Sequence, residues 1–211
     1  MTKKKVIVED GIIAGNYEDK YSSNNFISRY LVNNFIKEIV SIVNYINPKN
    51  IHEIGCGEGN LSILLYKNGF KKIIGTDLSK KIISEARKNA KSNNVNINFE
   101  AKDVYAIDDT YSAELIIACE VLEHLYEPEK CLRIVKKIAS PYLLVSVPRE
   151  PIWRIMNICR GKHIKSLGNT PGHVQAWTKG GFVKFISQHF KILKISNPIP
   201  WTIILAENNT I

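Results

Sequence analysis

Residues 51–60 read IHEIGCGEGN, and residues 75–79 read GTDLS. The first stretch is a short apolar strand that runs into three alternate glycines before a helix begins. Glycine has no side chain, so it lets the backbone approach a nucleotide-like ligand closely. Asp77 follows at the end of the next predicted strand, where an ionised carboxylate can accept hydrogen bonds from both ribose hydroxyls. The two stretches together predict a ligand that contains adenosine.

The spacing of Gly55, Gly57 and Gly59 argues against two other nucleotide sites. A dinucleotide fingerprint would place its third glycine where Asn60 stands, and a Walker loop would end in Gly-Lys-Ser or Gly-Lys-Thr, which this loop does not. The alternating glycines, preceded in their strand by the acidic Glu53, resemble motif I of class I S-adenosylmethionine-dependent methyltransferases. In that family Glu53 would help to hold the methionine ammonium, and the glycines would leave room for the aminoacyl chain.

Three later stretches match the same family in order. They read AKDV at 101–104, CEVLEHL at 119–125, which is a form of motif IV, and PYLLVSV at 141–147, the expected fifth strand. The resemblance covers residues 24 to 148 and implies that Asp103 binds the adenine amino group. The implied cofactor contacts are Glu53, Gly55, Cys56, Gly57, Gly59, Asp77, Leu78, Asp103, Val104 and Glu120.

Each of these residues also has an ordinary structural interpretation. The glycines could serve only a tight turn between strand and helix. Asp77 could cap the helix that follows it, although Ser79 competes for that role. Asp103 could be a loop acid, since aspartate is common in turns. Cys56 is interpreted as a small residue that fits inside the glycine loop.

Apolar residues recur with the periods of helices and strands that alternate along the chain. This order predicts a Rossmann-like, doubly wound α/β fold with seven strands, mostly parallel with an antiparallel last strand. The predicted helices are 24–46, 59–67, 79–93, 128–138 and 178–188. The predicted strands are 50–54, 72–76, 95–100, 114–118, 141–147, 191–196 and 201–206. The last two are too close together to be parallel, so we expect them to form an antiparallel pair.

The chain has 211 residues, of which 45% are hydrophobic, and this length suits one well-buried core. We therefore expect a single methyltransferase domain at 1–211, with an N-terminal helical cap at 1–47 and a basic insertion at 149–174. No apolar run resembles a signal peptide or reaches the roughly 20 residues of a membrane span. The four cysteines have no paired spacing, which favours reduced thiols in a cytoplasmic protein.

The insertion at 149–174 contains five cations and the single acid Glu150. A basic, partly aromatic cover over the active-site end would suit an anionic or aromatic small molecule. The predicted acceptor contacts are Arg149, Trp153, Arg154, His173 and Trp177. The alternative is a surface excursion with a solvated basic helix.

Motif IV places two carboxylates and an imidazole within one turn, at Glu120, Glu123 and His124. We predict that His124, with Glu123, is catalytic, because an imidazole suits a base at neutral pH. The motif also resembles the divalent-metal site of ubiquinone-biosynthesis O-methyltransferases and small-RNA 2'-O-methyltransferases, with Glu120, Glu123, His124 and His173 as candidate ligands. Local packing of Glu123 and His124 is the third interpretation, and the sequence leaves all three open.

The segment before the first predicted helix contains Tyr17 and Tyr21. In related small-molecule methyltransferases a similarly placed segment folds over the cofactor, and a tyrosine there can shield the sulfonium. The resemblance thus implies a cofactor contact for one of these tyrosines. Otherwise they anchor a flexible terminus.

The function implied is transfer of a methyl group from S-adenosylmethionine to a small molecule, at oxygen, with S-adenosylhomocysteine as the other product. The net charge of +9 keeps an RNA 2'-O-methyltransferase as an alternative. Nucleic acid is disfavoured as a partner because no added RNA-binding signature accompanies the charge. A non-catalytic cofactor-binding subunit is the alternative from a different class of protein.

Overall fold

The computed structural model of the chain describes residues 7–9, 12–14 and 26–209. The helices are α1 (Phe26–Ile46), α2 (Asn60–Lys67), α3 (Lys80–Ser92), α4 (Pro128–Ile138), α5 (Ile152–Cys159) and α6 (Lys179–Ser187). The strands are β1 (Ile7–Glu9), β2 (Ile12–Ala14), β3 (Ile51–Ile54), β4 (Ile73–Asp77), β5 (Asn98–Ala101), β6 (Ala113–Cys119), β7 (Ala139–Pro148), β8 (Lys191–Ser196) and β9 (Trp201–Glu207).

Seven strands form one sheet in the order β5-β4-β3-β6-β7-β9-β8, and β1 pairs with β2 in a separate hairpin. The first five strands of the large sheet are parallel, whereas β9 is antiparallel to both of its neighbours, β7 and β8. The predicted seven-stranded α/β fold with a reversed last strand is therefore confirmed. Because β9 lies between β7 and β8, the last strand in sequence is an interior strand of the sheet.

Strand β6 shows how the sheet divides two apolar layers. Leu115 and Ile117 face the layer that contains α1, whereas Ile116 and Ala118 face the layer that contains α4 and α6. All four side chains are buried, as expected for a strand covered by helices on both faces. This packing holds the strand rigidly at the point where motif IV begins.

The strand order reverses between β3 and β6. From β3 the sheet grows through β4 to β5, and from β6 it grows through β7, so the two loops that leave β3 and β6 at their carboxyl ends lie side by side. In open α/β sheets a ligand binds outside the carboxyl ends of the strands at such a switch point. The glycine loop follows β3, and motif IV follows β6, so the fold brings these two motifs together.

Helix α1 ends at Ile46, where Asn47 adopts the left-handed conformation (φ 50°) ahead of Pro48. Among the residues that the structure describes, every helix is too short or too polar to span a bilayer.

Candidate active site

The glycine loop has a left-handed backbone at each glycine, with φ of 68° at Gly55, 53° at Gly57 and 78° at Gly59. A side chain at Gly55 would place its Cβ 2.4 Å from Val121 Cγ2, and one at Gly59 would place it 2.6 Å from the Phe99 ring. Both the conformation and the space therefore require glycine. The contact at Gly55 also shows that Val121 of motif IV packs directly on the loop.

Asp77 ends β4 beside this loop. Its Oδ2 accepts a hydrogen bond from the backbone N–H of Gly57 at 3.1 Å, and its Oδ1 accepts one from Ser79 N at 3.0 Å. Ser79 is the residue that caps α3, because its hydroxyl accepts from the Ile82 N–H. Asp77 is therefore not the cap of that helix, and backbone donors hold its carboxylate at the carboxyl end of β4. Leu78 beside it is half-exposed.

Glu53 is a buried acid beneath the loop. Its Oε2 accepts a hydrogen bond from the Ser62 hydroxyl at the start of α2. Burial raises the pKa of Glu53 to about 7; the bond from Ser62 opposes the shift and the nearby Asp77 charge adds to it. A buried carboxyl with this pKa would ionise fully beside a cation, such as an ammonium. Burial also raises the pKa of the Cys56 thiol well above its usual range, so Cys56 is an inert packing residue.

Asp103 and Val104 follow β5 and make ordinary local contacts. Asp103 is exposed, and its Oδ1 accepts from the Tyr105 N–H at 2.9 Å, which caps the short 3-10 turn at 104–106. Val104 is buried in the layer beneath α4. The position of Asp103 at the carboxyl end of β5 suits the predicted adenine contact, but its described hydrogen bond is that of a turn residue.

Glu120, at the end of β6, has a left-handed backbone (φ 60°), which is uncommon outside glycine. Its Oε2 accepts from the indole N–H of Trp201 at 2.8 Å, and its Oε1 lies 3.5 Å from the Ser146 hydroxyl. These contacts hold the carboxylate against β9 and β7. Sequence reasoning did not identify Trp201, because no local pattern links it to motif IV.

Glu123, His124 and His173 form a cluster in which one potential ligand atom from each lies within 4.8 Å of the others. Glu123 is buried in a 3-10 turn at 122–124, and the two imidazole rings meet edge to face with centroids 4.9 Å apart. The structure thus brings together three of the four predicted metal candidates. Glu120, the fourth, is not part of this cluster.

The tautomer of His124 follows from its partner. His124 Nδ1 lies 2.9 Å from the backbone carbonyl oxygen of Gly172. A carbonyl only accepts hydrogen bonds, so Nδ1 must carry the proton, and the neutral ring has its lone pair on Nε2. A base or a metal ligand needs that lone pair.

The insertion positions His173 through its own buried polar contacts. Trp153 is buried in α5, donates its indole N–H to Thr170 Oγ1 at 2.9 Å, and stacks at 6.0 Å from the His173 ring. The backbone N–H groups of Val174 and Gln175 both donate to the Glu123 carbonyl oxygen. The loop is thereby attached to motif IV on both sides of His173.

The other predicted acceptor residues have described partners that are not members of the cluster of Glu123, His124 and His173. Arg154 Nε is 3.4 Å from Glu150 Oε1, an ion pair within α5 and the residues before it. Trp177 stacks on Phe185 of α6 with centroids 5.5 Å apart, and Arg149 forms an isolated backbone bridge to Trp177. Trp177 therefore packs on a helix. Tyr17 and Tyr21 lie outside the described residues.

Comparison with known proteins identifies related chains. A family model described as "Methyltransferase domain" matches residues 48–181. The ubiquinone biosynthesis O-methyltransferase of Coxiella burnetii (strain RSA 331 / Henzerling II) is 24% identical over 154 residues, which are 65% of this chain and 64% of that protein. The chain thus matches somewhat less than two thirds of the length of this relative.

Two solved structures share the fold. Magnesium protoporphyrin IX methyltransferase from Synechocystis PCC 6803, crystallised with bound SAH, superposes with a TM-score of 0.71 at 19% identity, over 90% of this chain and 91% of that one. The methyltransferase domain of bacterial CtHen1-C has a TM-score of 0.67 at 22% identity, over 84% and 98% of the two chains.

Proposed function

We propose that this chain, which belongs to the methyltransferase domain family, transfers a methyl group from S-adenosylmethionine to an oxygen atom of a small-molecule acceptor. The sequence-based assignment to class I methyltransferases, and the cofactor that it implies, are confirmed by the match over residues 48–181. The acceptor, the methylated atom and the roles of single residues remain the substance of the proposal.

The cofactor residues that we propose follow from the glycine loop and its two acids. Asp77 accepts the ribose hydroxyls, and the left-handed glycines leave the surface of the loop bare for the methionine moiety. Glu53, whose burial raises its pKa to about 7, becomes fully ionised when the methionine ammonium is near. The half-exposed Leu78 would pack on the adenine.

The observation that supports the reaction most strongly is the position of His124. Methyl transfer from a sulfonium is an in-line displacement, so alignment of the acceptor supplies much of the acceleration. An alcohol or phenol acceptor must also lose its proton. The His124 imidazole follows the strand next to the glycine loop, and its Nε2 has the lone pair needed to take that proton.

A divalent metal is a second way to activate the same oxygen. One carboxylate and two imidazoles within 4.8 Å fit zinc and other first-row divalent ions. Glu123, His124 and His173 would hold the ion, which would lower the pKa of an acceptor hydroxyl. The backbone bonds from Gly172, Val174 and Gln175 orient these residues whether the cluster acts as a base or as a metal site.

Two further features support a small acceptor in a reducing compartment. The relative from Coxiella burnetii is named an O-methyltransferase of ubiquinone biosynthesis, which favours oxygen on a small molecule. All four cysteines are free thiols, as expected in the cytoplasm.

The test is an acceptor screen with methyl-labelled S-adenosylmethionine. Separate pools of phenols and catechols, a small-metabolite extract, and total RNA would be incubated with the parent and with Asp77→Ala, which lacks the ribose contact. We expect label in a small-molecule pool, with loss of labelling in the variant. Label that enters only RNA would support the RNA 2'-O-methyltransferase instead. Cofactor binding without turnover in any pool would support a non-catalytic subunit.

A further inference from the structure

Glu120 has a backbone conformation that glutamate rarely adopts. Its φ of 60° lies in the left-handed region, where a side chain crowds the backbone and glycine is favoured. It is the first residue after β6, and the next residue, Val121, packs on Gly55 of the glycine loop. Strained residues of this kind cluster at ligand sites, where the surrounding structure holds them in place. The strain and the position together indicate a role for the Glu120 side chain.

Two other strands hold the Glu120 carboxylate. Its Oε2 accepts a hydrogen bond from the Trp201 indole N–H at 2.8 Å, and its Oε1 lies 3.5 Å from the Ser146 hydroxyl. Ser146 is on β7 and Trp201 begins β9, so the side chain extends away from β3, the strand that leads into the glycine loop. The Trp201 ring packs beside Trp153, whose own ring stacks on His173. The carboxylate therefore lies between the glycine loop and the residues that support His173.

Trp201 is fixed by contacts with several elements. Its side chain is buried, and its ring packs on Phe35 of α1 and on Trp153 of α5, with centroid separations of 4.7 and 5.9 Å. Its backbone N–H donates to the Pro198 carbonyl oxygen at 2.6 Å. Because the ring is held on all these sides, the indole N–H has a fixed direction, and it fixes the Glu120 carboxylate that accepts from it.

The end of β6 is surrounded by acids. Burial raises the pKa of the Cys119 thiol, and a hydrogen bond with Ser146 opposes the shift. The negative charges of three acids add to it, namely Glu53, Glu120 and Glu123. All three carboxyl groups are therefore close enough to Cys119 to act on it electrostatically. Like charges so arranged repel each other, and a bound cation would reduce that repulsion.

We propose that the Glu120 carboxylate faces the sulfonium of S-adenosylmethionine, and that Trp201 is the residue that positions it. The inference rests on the proposed function, which supplies the cofactor. The cofactor has two cationic groups, an ammonium and a sulfonium, and Glu53 beneath the glycine loop is the proposed partner of the ammonium. Glu120 lies on the side of the loop towards His173, where the methyl group has to pass. The sulfonium is therefore the cation that Glu120 would meet.

The consequence is a preference for the methyl donor over the product that it becomes. When the methyl carbon bonds to the acceptor oxygen, the carbon–sulfur bond breaks, and its electron pair stays on sulfur. S-adenosylhomocysteine is left as a neutral thioether, so the charge attraction with Glu120 ends at that step. A carboxylate at this position thus favours binding of S-adenosylmethionine and release of S-adenosylhomocysteine.

The test is isothermal titration calorimetry of the full chain with each of the two ligands, without acceptor. We expect the parent to bind S-adenosylmethionine more tightly than S-adenosylhomocysteine. Glu120→Gln keeps the size of the side chain and an oxygen that can accept from Trp201, but it removes the charge. It should weaken S-adenosylmethionine by ~10- to 100-fold, the range for opposite charges near a protein surface, and leave the affinity for S-adenosylhomocysteine unchanged.

Trp201→Phe tests the positioning role, because it keeps a stacked ring but lacks the N–H. It should lower the preference for S-adenosylmethionine by about threefold to tenfold, the contribution of one hydrogen bond. In the Glu120→Gln background the same substitution should have no further effect on the preference, because both residues act through one contact. A general loosening of the fold would instead weaken both ligands alike.

The matched controls change the same chemical groups at the opposite end of the sheet. Glu114→Gln removes a carboxylate charge near the start of β6, and Tyr142→Phe removes a polar hydrogen from an aromatic ring near the start of β7. Both controls should show the ligand preference of the parent. Circular dichroism melting would establish that each variant is folded.

Equal affinity of the parent for the two ligands would overturn the proposal. A loss of the same size for both ligands in Glu120→Gln would also overturn it, and an unchanged preference in Trp201→Phe would reject the positioning role. If the parent showed the preference but labelled no acceptor in the screen, the proposed reaction would fail while this inference would stand. If the parent bound neither ligand, both would fail.

Discussion

On the proposed cofactor side of the site the contacts come from residues close together in sequence, whereas on the proposed acceptor side they come from distant parts of the chain. Asp77 is oriented by the N–H groups of Gly57 and Ser79. On the proposed acceptor side, the His124 ring is oriented by the backbone carbonyl of Gly172. The first set of contacts follows from one strand, loop and helix unit, but the second requires the whole fold.

This difference decides which residues can be substituted on each side of the site. A loop defined by its backbone conformation has to keep its glycines, but most other residues around it can be substituted. We expect the insertion to tolerate changes that leave the glycine loop intact, because Trp153 and Thr170 bond to each other within the insertion. This division suits a fold whose function varies through loops on a constant scaffold.

The largest expected effect is on the acceptor side. If His124 is the base, His124→Ala should lower kcat by ~10² to 10⁴ and leave cofactor affinity unchanged. If the cluster holds a metal, EDTA should abolish the activity of the parent, and a divalent ion should restore it. Steady-state kinetics with and without chelator distinguish these outcomes.

The matched control for that variant is His189→Ala, which removes an imidazole at the end of α6 that contacts Glu129. It should retain the kcat of the parent. An unchanged kcat in folded His124→Ala, together with no response to chelator, would leave only a packing role for His124. The acceptor side would then have no catalytic group among the residues that we propose.

A smaller effect is expected from Asp77→Ala on the cofactor side. Two charge-assisted hydrogen bonds to ribose, each contributing roughly 1.5 to 3 kcal/mol, imply a loss of cofactor affinity of at least ~100-fold. Isothermal titration calorimetry with S-adenosylhomocysteine measures this loss of affinity. The control Asp108→Ala, which removes an exposed cap of a 3-10 turn, should bind normally. Near-normal affinity in a folded Asp77→Ala protein would mean that the carboxylate does not hold the ribose.

The smallest expected effect is a pH dependence from Glu53. Its folded-state pKa is raised to about 7 by burial, so the folded chain without cofactor holds a proton between pH 4.5 and 7 that the unfolded chain has lost, and stability falls as pH rises through that range. A cofactor ammonium stabilises the ionised form. Cofactor affinity should therefore rise by up to about tenfold per pH unit below 7 and level off above it.

Calorimetry from pH 6 to 8 checks this dependence. Glu53→Gln should flatten the rise in affinity, whereas Glu85→Gln, which changes a partly exposed acid on α3, should keep it. A rise of the same size in Glu53→Gln would assign the pH dependence to another group.

Sequence patterns predicted the scaffold closely because the signals are local. The helix at 128–138 and the strand at 191–196 have the predicted limits, since apolar periodicity and flanking turns define both. The strand predicted at 95–100 begins only at Asn98, because Asn94 is left-handed (φ 53°) and the residues after it still complete the turn from α3.

The acceptor side was harder to predict for a physical reason. Trp177 reads as an aromatic residue near the site, yet it stacks on Phe185 of α6. Trp153 reads as part of an exposed cover, yet its ring is buried and bonded to Thr170. Whether a tryptophan faces a ligand or a helix depends on the path of the chain after β7, and neither composition nor periodicity defines that path.

The interior position of β9 has a consequence for biosynthesis. Strand β9 pairs with β7 along seven residues, and its first residue, Trp201, donates the hydrogen bond that holds Glu120 beside the glycine loop. On the ribosome the chain emerges from its N-terminus, so the earlier strands are available before β9 exists. The sheet can close, and motif IV can reach its final geometry, only after synthesis has passed residue 207. Until then β7 has an unpaired edge, whose backbone N–H and C=O groups are open to pairing with another strand.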